Sequence, residues 1–419
     1  MKRILAALMA AGACAPALHA QTNQGVDAAP ITLDQALRAA GAASPAVEAS
    51  EAGVRAAQAQ RSIAGLRPNP SLETMSENVA GTGAYAGLRS SETTVSLAVP
   101  IELGGKRTAR VAVADAQIGR ASLDAAVARA DLRLRVTQAF IAAAAASRRV
   151  VVARERVSLA AEVLRAASVR VSAGRASPLE QQRAEVARVA AEGEAEQADR
   201  TAEVSLQNLS RLIGMSVRSI DVGWLDTMQP VGPVRPAPSG DTLAAAAARA
   251  DLSTAAAQVR LARSQRVPDV TVSAGARRLA ATNDTAGVVS LSVPLPLFNS
   301  GRSGVALANA QRDQADANRR LATLDADQAI ATAAAEAANA ATRARNANGP
   351  SLAAAREAAR IARIGYREGK FGQLDLLEAE RTLAETRIAA IDALAAYHDA
   401  QAQLERLTAP APEPTKDPR

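Results

Sequence analysis

Ala173-Gly174-Arg175 and Glu180-Gln181-Gln182-Arg183-Ala184-Glu185 return 195 positions later as Glu368-Gly369-Lys370 and Asp375-Leu376-Leu377-Glu378-Ala379-Glu380. The same shift carries Leu209-Ser210-Arg211-Leu212 onto Leu404-Glu405-Arg406-Leu407. A shift of 194 carries Leu97-Ala98-Val99-Pro100 onto Leu291-Ser292-Val293-Pro294. Three segments in one register mark a tandem duplication. Its period is too long for a solenoid, whose units run about 20–50 residues. The chain is therefore expected to fold as two large equivalent units, and their common plan decides the architecture.

Between positions 107 and 173 there is no proline and one glycine, Gly119. That predicts a single helix of about 100 Å at about 1.5 Å per residue. Val150, Val157, Leu164 and Val171 recur every seven residues, with Ala153, Ala160 and Ala167 at complementary positions. Large residues set against alanines at heptad spacing predict a close helix–helix seam. Gly174 ends this helix. Ser177-Pro178 opens the next, to about Ile213, with serine as N-cap and proline in the first turn. Upstream, 32–65 reads as one helix beginning at Thr32 and stopped by Pro68 and Pro70. Residues 71–80 and 91–100 alternate, with Val95, Leu97 and Val99 on one face and Thr94, Ser96 and Ala98 on the other. This predicts a β-hairpin around a glycine-rich turn. The second unit repeats the plan: a helix at 241–266, strands near 268–279 and 287–296, a long helix from 303 and a last helix to 408. Asn348-Gly349-Pro350 is expected to interrupt that long helix.

Composition agrees with extended helices. Aromatics are 2% of the 419 residues, and alanine supplies much of the apolar fraction. Residues 1–20 read as an export signal, with Lys2-Arg3 before an apolar stretch and small residues up to Ala20. An alternative makes Cys14, the single cysteine, a lipidated N-terminus. Disulfides are not expected. No apolar run after residue 20 approaches the roughly 20 residues of a membrane-spanning helix. The formal charge of +7 becomes +5 without Lys2 and Arg3. It is spread in mixed sign along helices without interleaved aromatics, so nucleic acid is not an expected partner. The boundaries expected are a signal at 1–20, a first unit at 21–215, a connector at 216–240 holding Trp224 and four prolines, a second unit at 241–408 and a proline-rich, disordered tail at 409–419.

Two hairpins give four strands per chain, of a length that suits a membrane barrel. Four strands cannot close a barrel, so if these strands span a membrane the chain must oligomerise. A small soluble sheet capping a helical stalk remains the alternative. No catalytic set is visible. Outside 1–20 there is one histidine, His398, expected on a helix face, and the methionines are scattered. No enzyme activity, cofactor or resident metal is expected. Lys106 and Arg107 make a basic junction suited to lipid headgroups or another chain.

Over about 31–408 the chain resembles the TolC-like outer-membrane factors, exit ducts of tripartite efflux pumps. The resemblance rests on the tandem helix–hairpin–long helix–helix plan and the paired segments 170–185 and 366–380. Val99-Pro100-Ile101-Glu102-Leu103-Gly104-Gly105-Lys106-Arg107 is similar to the strand-to-helix junction of the CzcC-type branch, which serves heavy-metal pumps. It implies a mainly helical chain whose four strands complete a 12-stranded outer-membrane barrel in a homotrimer above a periplasmic helical tunnel. It also implies a periplasmic adaptor and an inner-membrane pump as partners, with the adaptor meeting tips at Gly174, Arg175, Gly369 and Lys370. Tyr366 and Glu180 would hold the entrance closed, and Asp375 and Glu378 would line its narrowest ring. From the residues alone, the alternatives are an N-cap for Asp375, an exposed helix face for Glu378 and Glu180, and packing at the tip for Tyr366. The gate arginine of the family is replaced by Phe371, beside Lys370. Drug efflux or type I secretion is the alternative cargo, and a periplasmic adaptor or coiled-coil stalk the alternative architecture.

Overall fold

A computed structural model describes residues 29–228 and 239–412. The signal segment, Cys14, the connector prolines Pro230, Pro233, Pro236 and Pro238, and the tail from 413 lie outside the described residues.

The first unit runs α1 (Leu33–Ala43), α2 (Pro45–Ala64), β1 (Ser71–Glu77), β2 (Glu92–Ile101), α3 (Lys106–Ser172) and α4 (Pro178–Ile213). The second runs α5 (Leu243–Ser264), β3 (Val270–Leu279), β4 (Thr285–Ser292), α6 (Arg302–Asn346), α7 (Leu352–Arg367) and α8 (Gln373–Leu407). The tandem plan is present in both. Thr32 caps α1 as expected, exchanging hydrogen bonds with Gln35. The single helix expected over 32–65 is two, because Pro45 offers no N–H and Ser44 before it is extended.

α3 spans 67 residues without a break. Of the predicted seam, Ala167, Ala153 and Val150 are buried, whereas Val157, Ala160, Leu164 and Val171 are only partly so. α3 packs on α2, α4, α5 and α8, so its buried surface is broader than one heptad stripe. One 18-residue window of α3 does reach a mean hydropathy of 1.3, enough by length and composition to cross a membrane. In the fold, 56% of that window is buried against other helices. The expected break at Asn348-Gly349-Pro350 is a five-residue π turn, 347–351, joining α6 to α7. Its wider spacing admits a proline without a hydrogen-bonding N–H. β4 ends at Ser292, short of the predicted 296, since Pro294 and Pro296 cannot extend the ladder. The first tail residues are also ordered: Ala411 N–H donates to Asp241 O at 3.0 Å, and Leu243 N–H to Ala409 O at 3.2 Å.

The four strands form one antiparallel sheet in the order β1-β2-β3-β4. Its register sorts side chains by chemistry. One face carries the rows Leu72–Leu97–Ala274–Val289 and Val99–Val272–Leu291, with the polar row Ser76–Thr93–Arg278–Thr285 only at its end away from the helices. The other carries Ser71–Ala98–Ser273–Ser290 and Met75–Thr94–Arg277–Ala286. On that second face Arg277 bonds Thr94 Oγ1 at 2.9 Å and pairs with Glu92 at 2.8 Å and Glu77 at 3.1 Å. The apolar face is open: Val95, Leu97, Val99 and Ile101 are each more than 40% exposed. Pro100 lies where β2 has run past the end of β1 and pairs with β3 alone. Among the described residues, no strand lies beside the outer edges of β1 and β4.

The connector joins the units near mid-length. Ile31 pairs in parallel with Ile220. Trp224 meets Phe140 of α3 edge-on at 5.4 Å and stacks on His398 of α8 at 4.2 Å. His398 is thus buried, not on an open helix face. Its Nε2–H donates to Leu225 O at 3.0 Å. Ion pairs between α3 and α8 hold the units in register, including Arg406–Asp131 at 2.5 Å, Arg133–Glu405 at 2.9 Å and Arg387–Glu155. Each exposed pair contributes little alone, but opposite charges matched along two long helices oppose a register slip.

Candidate functional site

The helical ends farthest from the sheet are the turns from α3 into α4 and from α7 into α8. Both are built the same way. Gly174 and Gly369 sit at φ of 68° and 70°, the left-handed region open to glycine. Arg175 N–H reaches back to Arg170 O at 2.8 Å and Gly174 N–H to Val171 O at 2.9 Å. Lys370 N–H reaches Gly365 O at 2.7 Å and Gly369 N–H reaches Tyr366 O at 3.1 Å. These paired bonds satisfy carbonyls that the helix ends leave open. Arg175 and Lys370 stand exposed just beyond each glycine.

Each returning helix carries an acid at the third position of its first turn, Glu180 in α4 and Asp375 in α8. Negative charge is favoured there by the open N–H groups. Ser177 caps α4, its Oγ accepting from Leu179 N–H at 3.3 Å. At α8 the N-cap is Gly372, not Asp375. Asp375 instead reaches back to accept from Gly372 N–H at 2.9 Å. Asp375 and Glu378 lie one turn apart, both exposed.

The two turns touch through residues that the sequence reading left out. Gln373 is buried, and its Nε2 donates to Glu180 O at 3.0 Å. The Arg170 guanidinium lies over the Tyr366 ring, 5.1 Å from its centroid. Tyr366 also packs against a small core of Val163, Ala167, Ala184, Ala362 and Leu376. The family pairing of Tyr366 with Glu180 is not made within the chain. The Tyr366 hydroxyl, Glu180 Oε2 and Gln373 Oε1 are all buried without a hydrogen-bond partner there. Phe371, in place of the family's arginine, lays its ring on Gly365, where a Cβ would stand 2.1 Å from Phe371 Cδ2.

The repeat explains part of this asymmetry. The first unit has Arg170 and Ala176 where the second has Gly365 and Phe371. Bulk is exchanged between two positions. That exchange was visible in the repeat alignment and is the signal that would have found Arg170 and Gly365. Gln373 aligns with Pro178 and gives no such signal.

Behind the tip, a groove of about 390 Å³ between α3, α4 and α8 is lined by Val152, Val163, Ala191 and Leu383. The pairs Arg363–Glu380 and Arg387–Glu155 stand at its rim. Among the described residues, no group of three or more His, Cys, Asp or Glu side chains is arranged to hold a metal. At the opposite end, Glu102 pairs with Arg110, whose hydrogen bond holds its carboxyl below the usual range. Asp269 pairs with Lys106 at 2.7 Å and accepts Leu103 N–H at 3.1 Å. Burial opposes its ionisation, yet these donors keep its pKa low.

The family described as "Outer membrane efflux protein" matches residues 36–215 and 242–409, both repeats. The cobalt-zinc-cadmium resistance protein CzcC of Cupriavidus metallidurans is 31% identical over 91% of this chain and 90% of its own length. The nickel and cobalt resistance protein CnrC of the same organism is 33% identical over 63% of each. Among solved structures, the outer membrane protein VceC of Vibrio cholerae superposes with a TM-score of 0.73 at 20% identity, covering 90% of this chain and 96% of that one.

Proposed function

We propose a passive exit duct for divalent heavy-metal cations, from one premise: the chain belongs to the outer membrane efflux protein family. The sheet carries the proposal. It has an open apolar face, a polar face laced by Arg277, and two free edges. A sheet of that kind suits lipid on one side and water on the other once its edges are paired. Three copies supply twelve strands, and the helices then extend as a tunnel into the periplasm.

In this assembly Gly174, Arg175, Gly369 and Lys370 face the periplasmic adaptor, and the inner-membrane pump delivers cargo to the narrowed end. Asp375 and Glu378 form two stacked acidic rings that gather cations and repel anions. Tyr366 and Glu180 fasten the closed entrance. Their oxygens are buried and unpartnered within the chain, so the turns must shift to bring them to each other or to a neighbouring copy. The cargo class is supported by relatives named for cobalt, zinc, cadmium and nickel resistance. Cations cross as hydrated ions steered by ring charge, with the duct catalysing nothing.

The sheet is tested by paired substitutions on adjacent residues of β2. Leu97→Lys places a charge on the apolar face and should cost about 2–4 kcal/mol of membrane stability at the bilayer midplane. Ser96→Lys faces the polar side and should be tolerated. Equal tolerance at both positions overturns the barrel. Loss of the gene should sensitise its host to cobalt, zinc or cadmium more than to bulky organic drugs. The reverse profile overturns the metal assignment and leaves the duct standing.

A further inference from the structure

Each of the four passages between helix and strand carries an arginine with no carboxylate partner among the described residues. Arg67 stands between α2 and β1, Arg107 after β2, Arg266 before β3, and Arg302 after β4. All four are exposed. Arg107 and Arg266 each give one N–H to a backbone carbonyl, at Gly65 and Ser300, leaving the rest of the fork free. The carboxylates of these passages, Glu102 and Asp269, are already taken by Arg110 and Lys106. Beside the arginines stand exposed apolar groups: Leu66, Leu295, Leu297 and Phe298, the last wholly exposed. The band adjoins the apolar face of the sheet, since exposed Val293 and Leu295 follow Val289 and Leu291 directly past the end of β4.

The geometry points to a lipid-binding collar at the helix end of the barrel, taking the phosphates of anionic phospholipids in the adjoining leaflet. The inference rests on the reading that the sheet spans the outer membrane as an oligomer. Edge pairing sharpens it. Joining β4 of one copy to β1 of the next brings Arg302 of the first near Arg67 of the second, because the end of β4 and the start of β1 lie at the same end of the sheet. Two like charges then meet with no free carboxylate in either passage. A phosphate between two guanidinium forks relieves the repulsion, and the flanking leucines and Phe298 sit at acyl-chain depth. Charge sign and continuity with the apolar face select a lipid surface over a protein partner.

Native mass spectrometry of the detergent-purified oligomer with added phosphatidylglycerol or phosphatidylcholine tests this. The intact protein should retain phosphatidylglycerol at least about tenfold more tightly, with the preference falling as salt rises. R67Q/R107Q/R266Q/R302Q should abolish the preference, and the four Arg→Lys changes should keep most of it. R302Q alone, at a side chain with no partner among the described residues, should reduce the preference without disturbing assembly. An oligomer that inserts and conducts in phosphatidylcholine bilayers, yet shows no preference, overturns the collar and leaves the duct intact. So does a preference that survives R302Q and the fourfold glutamine variant. A protein that neither oligomerises nor inserts in any lipid overturns both.

Discussion

The Arg170 guanidinium lies 5.1 Å from the centre of the Tyr366 ring, joining the last turn of α3 to the last turn of α7. It links the two repeats at the end farthest from the sheet. A cation over an aromatic face contributes about 0.5–1 kcal/mol at an exposed site. Tyr366→Phe keeps the ring and removes only a hydroxyl that has no partner within the chain. It should slightly raise the stability of a single chain, because a buried hydroxyl without a partner carries a desolvation cost. In the oligomer it should weaken the closed entrance by about 0.5–1.5 kcal/mol, the worth of one hydrogen bond, and raise single-channel leakage. Arg170→Ala should loosen the tip with or without a neighbour. Parent-like leakage from both variants removes Tyr366 from the gate.

Gly365 admits the ring of Phe371. Gly365→Ala should displace that ring and disturb the turn at Gly369, at a cost of about 1–3 kcal/mol typical of overpacking. Faster amide exchange over 365–373 would report it. Adding Phe371→Ala should recover much of the loss, because the clash has one partner. A double variant as unstable as the sum of the singles contradicts the contact.

Asp375 has a local duty as well as an exposed charge, whereas Glu378 is free of helix-end bonds. Glu378→Gln therefore isolates charge from capping. It should lower cation selectivity and weaken block by multivalent cations in planar bilayers, with assembly unchanged. Asp375→Asn should act in the same direction and also loosen the start of α8, since the bond from Gly372 N–H would lose its charged acceptor. Reversal potentials across a salt gradient decide the matter. Parent-like selectivity in the double variant makes these two residues surface charges.

Burial lowers the pKa of His398, outweighing its bond to Leu225 O and the nearby Asp226 charge. The folded protein therefore binds this proton less readily than the unfolded chain, whose imidazole titrates at about 6.5. The stabilising contribution is complete above that value and is lost as pH falls through the lower folded pKa. Thermal midpoints between pH 5 and 8 should drop on acidification. His398→Gln, which keeps an N–H for Leu225 O, should flatten the difference. Identical profiles would place the acid sensitivity elsewhere.

The repeat at 195 positions, the unbroken stretch of α3, the serine–proline start of α4 and the alternation of β2 are local patterns, and each became the element that it predicts. Helix and strand periodicity depend on neighbours a few residues apart, so the chain displays them before it folds. The tip glycines were legible for the same reason, since a positive φ is a demand of one turn. Contacts between distant segments were not. The sequence placed His398 on a helix face, and folding buried it under Trp224, 174 positions earlier. It named Glu180 and Tyr366 but not Gln373 and Arg170, each of which touches one of them from the other repeat, because the turns of the two repeats meet only after α3 and α8 have packed. It also left the faces of the sheet open to two meanings. The register of β2 against β3 gave those faces their chemistry, setting the rows through Leu97 and Val99 on one side and gathering Glu77, Glu92 and Arg277 on the other.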